Sequence, residues 1–158
     1  MAPASFGTVD ARSDAAVAAM TSYFEELAAR FPEGFDPGDT LVADAETFDP
    51  PGGAFLVMYG KSGDVIGCGG VHRLDDRFGE VKRMWVRRDH RGMGLGRTLL
   101  AELEAEGKRL GYNAIRLDTN SALTEAIAMY ESAGYRTIQR YNDNPFAKHW
   151  FEKDIEGN

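Results

Sequence analysis

Three glycines, Gly92, Gly94 and Gly96, fall within five residues in the stretch RRDHRGMGLGRTLLAELEAEGKRLGY, directly ahead of a long helical pattern. The first N–H groups of a helix have no intrahelical partner and its N-terminus carries the positive end of the dipole. A helix opened by glycines is therefore a site where an anion can sit against the backbone. Glycine also lets a phosphate approach without meeting a Cβ. A nucleoside-triphosphate loop needs GxxxxGK[ST], and GMGLGRT has neither that spacing nor the lysine. A dinucleotide fingerprint needs GxGxxG in a tight turn after a strand. Here the spacing is GxGxG and Arg87 to Arg91 intervene, although Asp118 could imitate the ribose-binding acid of that motif.

Other reactive residues offer less. The single cysteine, Cys68, cannot form an internal disulfide, and its setting in VIGCGGV is that of a small core residue in a strand rather than a nucleophile. That cysteine usage fits a cytoplasmic protein. His72, His90 and His149 are scattered and lack paired cysteines, so no metal site is expected. A net charge of −7 repels nucleic acid phosphates and tolerates or attracts a cationic amine. No apolar run reaches the roughly 20 residues needed to span a bilayer, and MAPASFGTVDARSD lacks the basic start and apolar stretch of a signal peptide. The 158 residues are most simply one domain, 1–158, with enough chain for a sizeable core.

The elements that must position these groups follow from periodicity and punctuation. DAAVAAMTSYFEELAARF reads as a helix capped by Ser13 or Asp14, with Val17, Met20, Phe24, Leu27 and Phe31 on its apolar face. PEGFDPGDT breaks it, and a short helical piece follows near Asp39 to Glu46. AFLVMY and VIGCGGV, joined by KSGD, predict an antiparallel hairpin, and EVKRMWV is the next strand. The glycine loop then opens a helix from about Gly94 to Leu110, stopped by Gly111. NAIRLDT reads as a strand, TEAIAMYESAG as a helix, and YRTIQRY and HWFEKDI as closing strands. The order β–α–β–β–β–α–β–α–β–β describes an α/β (α+β) fold, a mixed sheet flanked by helices.

RGMGLG (Arg91 to Gly96), with the surrounding strand–loop–helix, resembles the Q/R-x-x-G-x-G/A motif of the GCN5-related N-acetyltransferases, and LDT followed by EAIAMYESAGY is similar to that family's next strand and helix. The resemblance covers most of the chain and implies a mostly antiparallel sheet with splayed central strands, acetyl-CoA as co-substrate, no metal, and transfer to an amine. The N–H groups from Gly92 through Met93, Gly94, Leu95 and Gly96 to Arg97 would hold the pyrophosphate, with Arg91 and Arg97 adding charge-assisted bonds. The pantetheine arm would pair with the strand at Met84, Trp85 and Val86, and a backbone N–H near Met84 would polarise the thioester carbonyl.

A lysine-like amine is neutral in only about one molecule in two thousand at pH 7, so a general base helps. The resemblance offers two. Glu80 holds the place of the catalytic glutamate of the histone-acetylating branch, and Asp118 that of the base in the branch that acetylates protein N-termini. Period-two alternation puts Glu80 on the face of Met84 and Val86, about 13 Å from Met84, a distance for a bridging water. Tyr130 resembles the tyrosine that protonates the departing thiolate. Many relatives carry an asparagine where this chain has Leu123, and Asn120 is the nearest substitute for that cofactor contact. YFEELAARFPEGFDP, HRLDDRFGE and RYNDNPFAKHW match the acceptor walls, with Asp75, Asp76, Glu80 and Asp143 as candidate cation-attracting groups and Tyr141 and Phe146 as pocket residues. The expectation is a direct-transfer N-acetyltransferase for a small-molecule or peptide amine, as a homodimer as in many relatives. The rivals are a non-catalytic acyl-CoA-binding sensor or interaction module and an NAD-dependent oxidoreductase.

Overall fold

The computed structural model, which describes residues 4–32, 34 and 45–156, opens with a strand, β1 (Ser5–Val9), and turns into α1 (Asp14–Arg30). Ser13 is the cap: its Oγ accepts the Ala16 N–H at 3.3 Å. Met20, Phe24 and Leu27 are buried as their spacing predicts, but Val17 is exposed and Ala16 and Ala19 take the inward positions beside it. The helical piece expected near Asp39 to Glu46 falls mostly outside the described residues; from Ala45 to Phe48 the chain makes one 3-10 turn. Then follow β2 (Ala54–Tyr59), β3 (Val65–Arg73), β4 (Phe78–Val86), α2 (Leu95–Arg109), β5 (Ala114–Thr119), α3 (Thr124–Ser132), β6 (Arg136–Thr137) and β7 (His149–Asp154). YRTIQRY thus forms only a two-residue strand, and the chain from Arg140 to Lys148 is free to fold over the site.

The strands make a seven-stranded sheet in the order β1-β2-β3-β4-β5-β7-β6, antiparallel except between β4 and β5. Side chains alternate between two cores, as a sheet covered on both faces requires. Leu56 and Met58 pack with Leu99, Leu100 and Leu103 of α2 and Tyr130 of α3, while Phe55 and Val57 pack with Met20, Phe24 and Leu27 of α1. β3 is held close to its neighbours by glycine. A Cβ on Gly67 would lie 2.7 Å from the Trp85 carbonyl oxygen, a backbone atom that cannot turn aside. Gly67→Ala is expected to lower unfolding free energy by about 1–3 kcal/mol in urea titration.

Two irregularities open the middle of the sheet. Ladder pairing between β4 and β5 covers only Phe78–Glu80 and Ala114–Arg116, although both strands run on, so the strands part beyond Glu80. Between β3 and β4 the register slips: Gly70 faces Lys82 but Cys68 faces Trp85, leaving Arg83 and Met84 opposite Gly69 alone. This is a β-bulge, and Arg83 sits in it at φ 59°, the sole non-glycine residue with positive φ among those described. The extra residue reverses the alternation. Val81 lies in the α2 core, Met84 and Val86 pack against that same core, and Trp85 lies in the α1 core. Glu80, paired with His72, faces the α1 side. The sequence expectation that Glu80 shares a face with Met84 and Val86 is therefore corrected: period-two counting fails across the bulge.

Candidate active site

The glycine loop is built as an anion site. Gly92 and Gly94 take φ of 80° and 78°, Gly94 is the N-cap of α2, and no side chain caps it. No acidic residue occupies the first turn, and among the described residues the N–H groups of Gly92, Met93 and Gly94 have no protein acceptor. Gly96 lets α3 approach: its Cβ would stand 3.0 Å from Met129 Sδ. Donors aimed outward, positive φ where a Cβ is disfavoured, and the dipole's positive end all fit a pyrophosphate.

The two flanking arginines are held differently. Arg91 does not project freely toward a phosphate. Its Nη2 holds both oxygens of Glu26, at 2.6 and 2.7 Å, and its Nε donates to the Val86 carbonyl at 2.9 Å, which ties the loop to α1 and to the end of β4. Glu26 also accepts from Arg30 and from Trp85 Nε1. Burial works to raise its carboxyl, but Arg91, Arg30 and Trp85 hold it below its ordinary value. Arg97 remains at the mouth of the loop and donates to Ser132 Oγ at 3.1 Å. A cavity of about 270 Å³ runs from this loop past Arg91, Trp85 and Val86 to Met84 and Tyr130.

A second cavity, about 500 Å³, lies on the other side of Met84 and Tyr130, which line both. Tyr23 of α1 also lines both. The second cavity contains the two expected carboxylates, brought together by the parallel register: Glu80 faces Arg116, so Lys82 stands level with Asp118. Lys82 Nζ lies 3.2 Å from Asp118 Oδ2 and 3.7 Å from Glu80 Oε2. Asn142 donates to Asp118 Oδ2 at 2.6 Å and to Glu80 Oε2 at 3.3 Å, and Asn144 donates to Asp118 Oδ1 at 3.2 Å. Glu80 further accepts Tyr141 Oη–H at 2.6 Å and has His72 Nε2 at 2.8 Å. Desolvation pushes the Glu80 carboxyl up, yet His72, Lys82 and Tyr141 together hold it below its ordinary value.

Tyr130 is buried, and its hydroxyl meets only Met84 Sδ, at 3.9 Å, among the described residues. Burial first, then the charges of Asp118 and Glu125, raise its phenol, so it stays protonated at neutral pH. Cys68 is fully buried and its thiol is likewise raised by burial, which leaves it no thiolate for a covalent step.

Asn120, the expected substitute for the missing asparagine, is engaged within the protein. Its Nδ2 donates to the Phe146 carbonyl at 2.6 Å and its Oδ1 accepts the Ala122 N–H at 2.9 Å, so it braces the strand-to-helix turn and lines the carboxylate cavity instead. Leu123 is the N-cap residue of α3, without a side-chain cap bond, and its apolar side chain lines both cavities. Asp75, Asp76 and Asp143 stand apart. Asp75 accepts the backbone N–H groups of its own turn, and exposed Asp76 and Asp143 pair with Arg73 and Arg140. Glu26, Lys82, Asn142 and Asn144 join the polar networks of the candidate site without being singled out by motif spacing. Only the i,i+4 placement of Glu26 before Arg30 leaves any trace in the sequence.

Residues 20–135 match the model of the acetyltransferase (GNAT) family, and the chain belongs to that family. Membership makes it an acetyl-CoA-dependent acyltransferase by class. It is 36% identical over 112 residues to an uncharacterized N-acetyltransferase of Schizosaccharomyces pombe, covering 68% of this chain and 66% of that protein. It is 33% identical over 118 residues to an IAA acetyltransferase of Azospirillum brasilense, covering 74% of this chain and 76% of that one. An acetyltransferase of the GNAT family from Staphylococcus aureus superimposes with a TM-score of 0.81 at 17% identity, over 96% of this chain and all of the other. A GNAT family acetyltransferase from Elizabethkingia anophelis with acetyl-CoA bound gives 0.69 at 15% identity, over 96% of this chain and 97% of the other. No helix among the described residues is long and apolar enough to cross a membrane.

Proposed function

We propose that this protein moves an acetyl group from acetyl-CoA directly to the primary amine of a small molecule or peptide. The observation that carries the reading is the meeting of the two cavities. One begins at a glycine loop with unpartnered N–H groups, the other holds two carboxylates, and they share Met84, Tyr130 and Tyr23. Acetyl-CoA supplies an activated acyl carbon on a thiol leaving group. The loop from Gly92 to Arg97 binds its pyrophosphate, and the pantetheine arm runs along β4 at Met84, Trp85 and Val86, beyond the end of its pairing with β5. A carboxylate takes the ammonium proton of the amine in its cavity, an N–C bond forms as the C–S bond breaks, Tyr130 protonates the leaving thiolate, and the second proton lost by nitrogen restores the tyrosine.

Between the two carboxylates, Asp118 is the better placed. Its charge is among those that raise the phenols of Tyr130 and Tyr23, the residues at the junction, whereas the Glu80 oxygens are engaged by His72 and Tyr141. The Asp118 side as base, with Glu80 behind it in the network, is the arrangement these fields support. The direct test is thiol release from acetyl-CoA with a panel of amines, amino acids, polyamines, aminoglycosides and peptides. Amine-dependent release with matching acetylated product is the expected result. Tight binding of acetyl-CoA with no release for any amine would instead mark a sensor module. Gly94→Val, which places a branched side chain at φ 78°, is expected to weaken acetyl-CoA binding about tenfold or more in calorimetry, since each lost hydrogen bond to a charged group is worth about 1.5–3 kcal/mol.

A further inference from the structure

We propose that Lys82 is a site of self-acetylation: with acetyl-CoA bound and no acceptor present, its ε-amine takes the acetyl group and the site switches itself off. This rests on the acetyl-transfer reading above. The observation that carries it is an amine already standing where that reading brings one. Lys82 Nζ lies 3.2 Å from Asp118 Oδ2, 3.4 Å from Asp118 Oδ1 and 3.7 Å from Glu80 Oε2. Both carboxylates are buried, whereas the lysine side chain is 28% exposed and lines the same cavity as Met84 and Tyr130.

The chain also brings this amine close to the donor. Lys82 precedes Met84 by two residues, so their Cα atoms are about 6–7 Å apart along the strand. The flexible four-carbon stem of a lysine covers a comparable span. The bulge turns the two side chains toward opposite faces, yet both meet the carboxylate cavity, at a level where β4 and β5 have already parted. Lys82 therefore reaches the junction from the acceptor side, as a substrate amine would.

The step balances with acetyl-CoA as its only reagent. Asp118 takes one proton from the ammonium, the freed nitrogen attacks the thioester carbon, and an N–C bond forms as the C–S bond breaks. Tyr130 protonates the thiolate, and the second proton lost by nitrogen restores the tyrosine, leaving an amide on Lys82 and CoA as free thiol. A well-oriented intramolecular reaction has an effective molarity of about 10⁵ M or more, so a lysine far from ideal alignment still competes with a dilute external amine. Acetylation removes the ammonium that Glu80 and Asp118 share, and the amide fills the space in which an acceptor would meet Asp118. An acetylated chain turns over external amines more slowly, and a bound acceptor protects Lys82 by standing in its place.

The test incubates the whole chain with acetyl-CoA and no added amine, and follows intact mass and mapped peptides over time. Lys82 is expected to gain an acetyl group at least about tenfold faster than Lys61, Lys108, Lys148 or Lys153, and than Lys82 itself in heat-unfolded chain. The rate per chain should be independent of protein concentration and should fall about tenfold or more in Tyr130→Phe. An amine that supports thiol release should slow the modification. Preincubation with acetyl-CoA should lower later kcat for that amine in the wild type but not in Lys82→Arg, which keeps the positive charge and takes no acetyl group. Lys82 modified no faster than the other lysines, or equally fast in Tyr130→Phe or in unfolded chain, would overturn the proposal. Thiol release with an external amine and an unmodified Lys82 would overturn it while leaving the acetyl-transfer reading intact. No thiol release with any amine and no acetyl group on Lys82 would overturn both.

Discussion

Tyr130→Phe is expected to lower kcat by about a hundredfold, the lower end of what a positioned proton donor contributes, with acetyl-CoA affinity unchanged. The reasoning is local. A thiolate leaving group has a pKa near 8.5, and a phenol kept protonated by burial can hand it a proton as the C–S bond breaks. Among the described residues the hydroxyl makes only the 3.9 Å contact with Met84 Sδ, at the junction of the two cavities. Phenylalanine keeps the ring against Tyr135 and Phe151, whose centroids lie 6.0 and 5.9 Å away, and stability should move by less than about 1 kcal/mol. Single-turnover thiol release separates this from a folding defect. Retention of more than half the wild-type kcat would remove Tyr130 from the chemistry.

The two carboxylates should separate by variant. Asp118→Asn is expected to reduce kcat by about a hundredfold or more at neutral pH, since an amide cannot take the ammonium proton. Glu80→Gln should reduce kcat less than about tenfold but destabilise the fold by about 1–3 kcal/mol, because it disturbs contacts with His72, Tyr141 and Asn142 in a buried network. The acid response then gives a second reading. The folded-state pKa of Glu80 lies below its ordinary value of 4.5, so its contribution to stability is present above that value and is lost as pH falls through the depressed one. Wild-type unfolding free energy should decline below about pH 4.5, and the Glu80→Gln curve should be flatter there. If Glu80→Gln lost as much kcat as Asp118→Asn, the roles assigned to the pair would be reversed.

Much of this arrangement is legible in the sequence wherever a local rule decides it. Helical periodicity and a serine cap place α1, the glycine loop and Gly111 bound α2 to within a residue, and Gly134, at φ 98°, follows the end of α3. The glycine loop, Met84, Tyr130, Glu80 and Asp118 all stand at the two cavities. Reading fails where a tertiary contact decides. Nothing in RYNDNPFAKHW says that Asn142 will reach Asp118; the β5–β7 register does, by setting Asp118 opposite Trp150, whose Nε1 donates to Asn142 Oδ1 at 3.0 Å. Arg91 reads as a phosphate ligand because its motif position is known, while the claim of Glu26, 65 residues away in sequence, is invisible there. The bulge is hidden for a different reason. Arginine is not a residue that announces positive φ, so alternation is counted straight through it.

The bulge has a bearing on how such a chain can diversify. Because one inserted residue reverses the sides of β4, positions 80, 82 and 83 line the carboxylate cavity, positions 85 and 86 line the glycine-loop cavity, and position 84 lines both. On the proposed function, drift at the first three would retune what is acetylated without eroding the grip on acetyl-CoA, and the strand would divide into two modules that selection can address separately. Laboratory libraries confined to Glu80, Lys82 and Arg83 would sample new acceptors on an unchanged donor scaffold. A deletion of one residue at the bulge, by contrast, would turn positions 84 to 86 to the opposite face of the sheet.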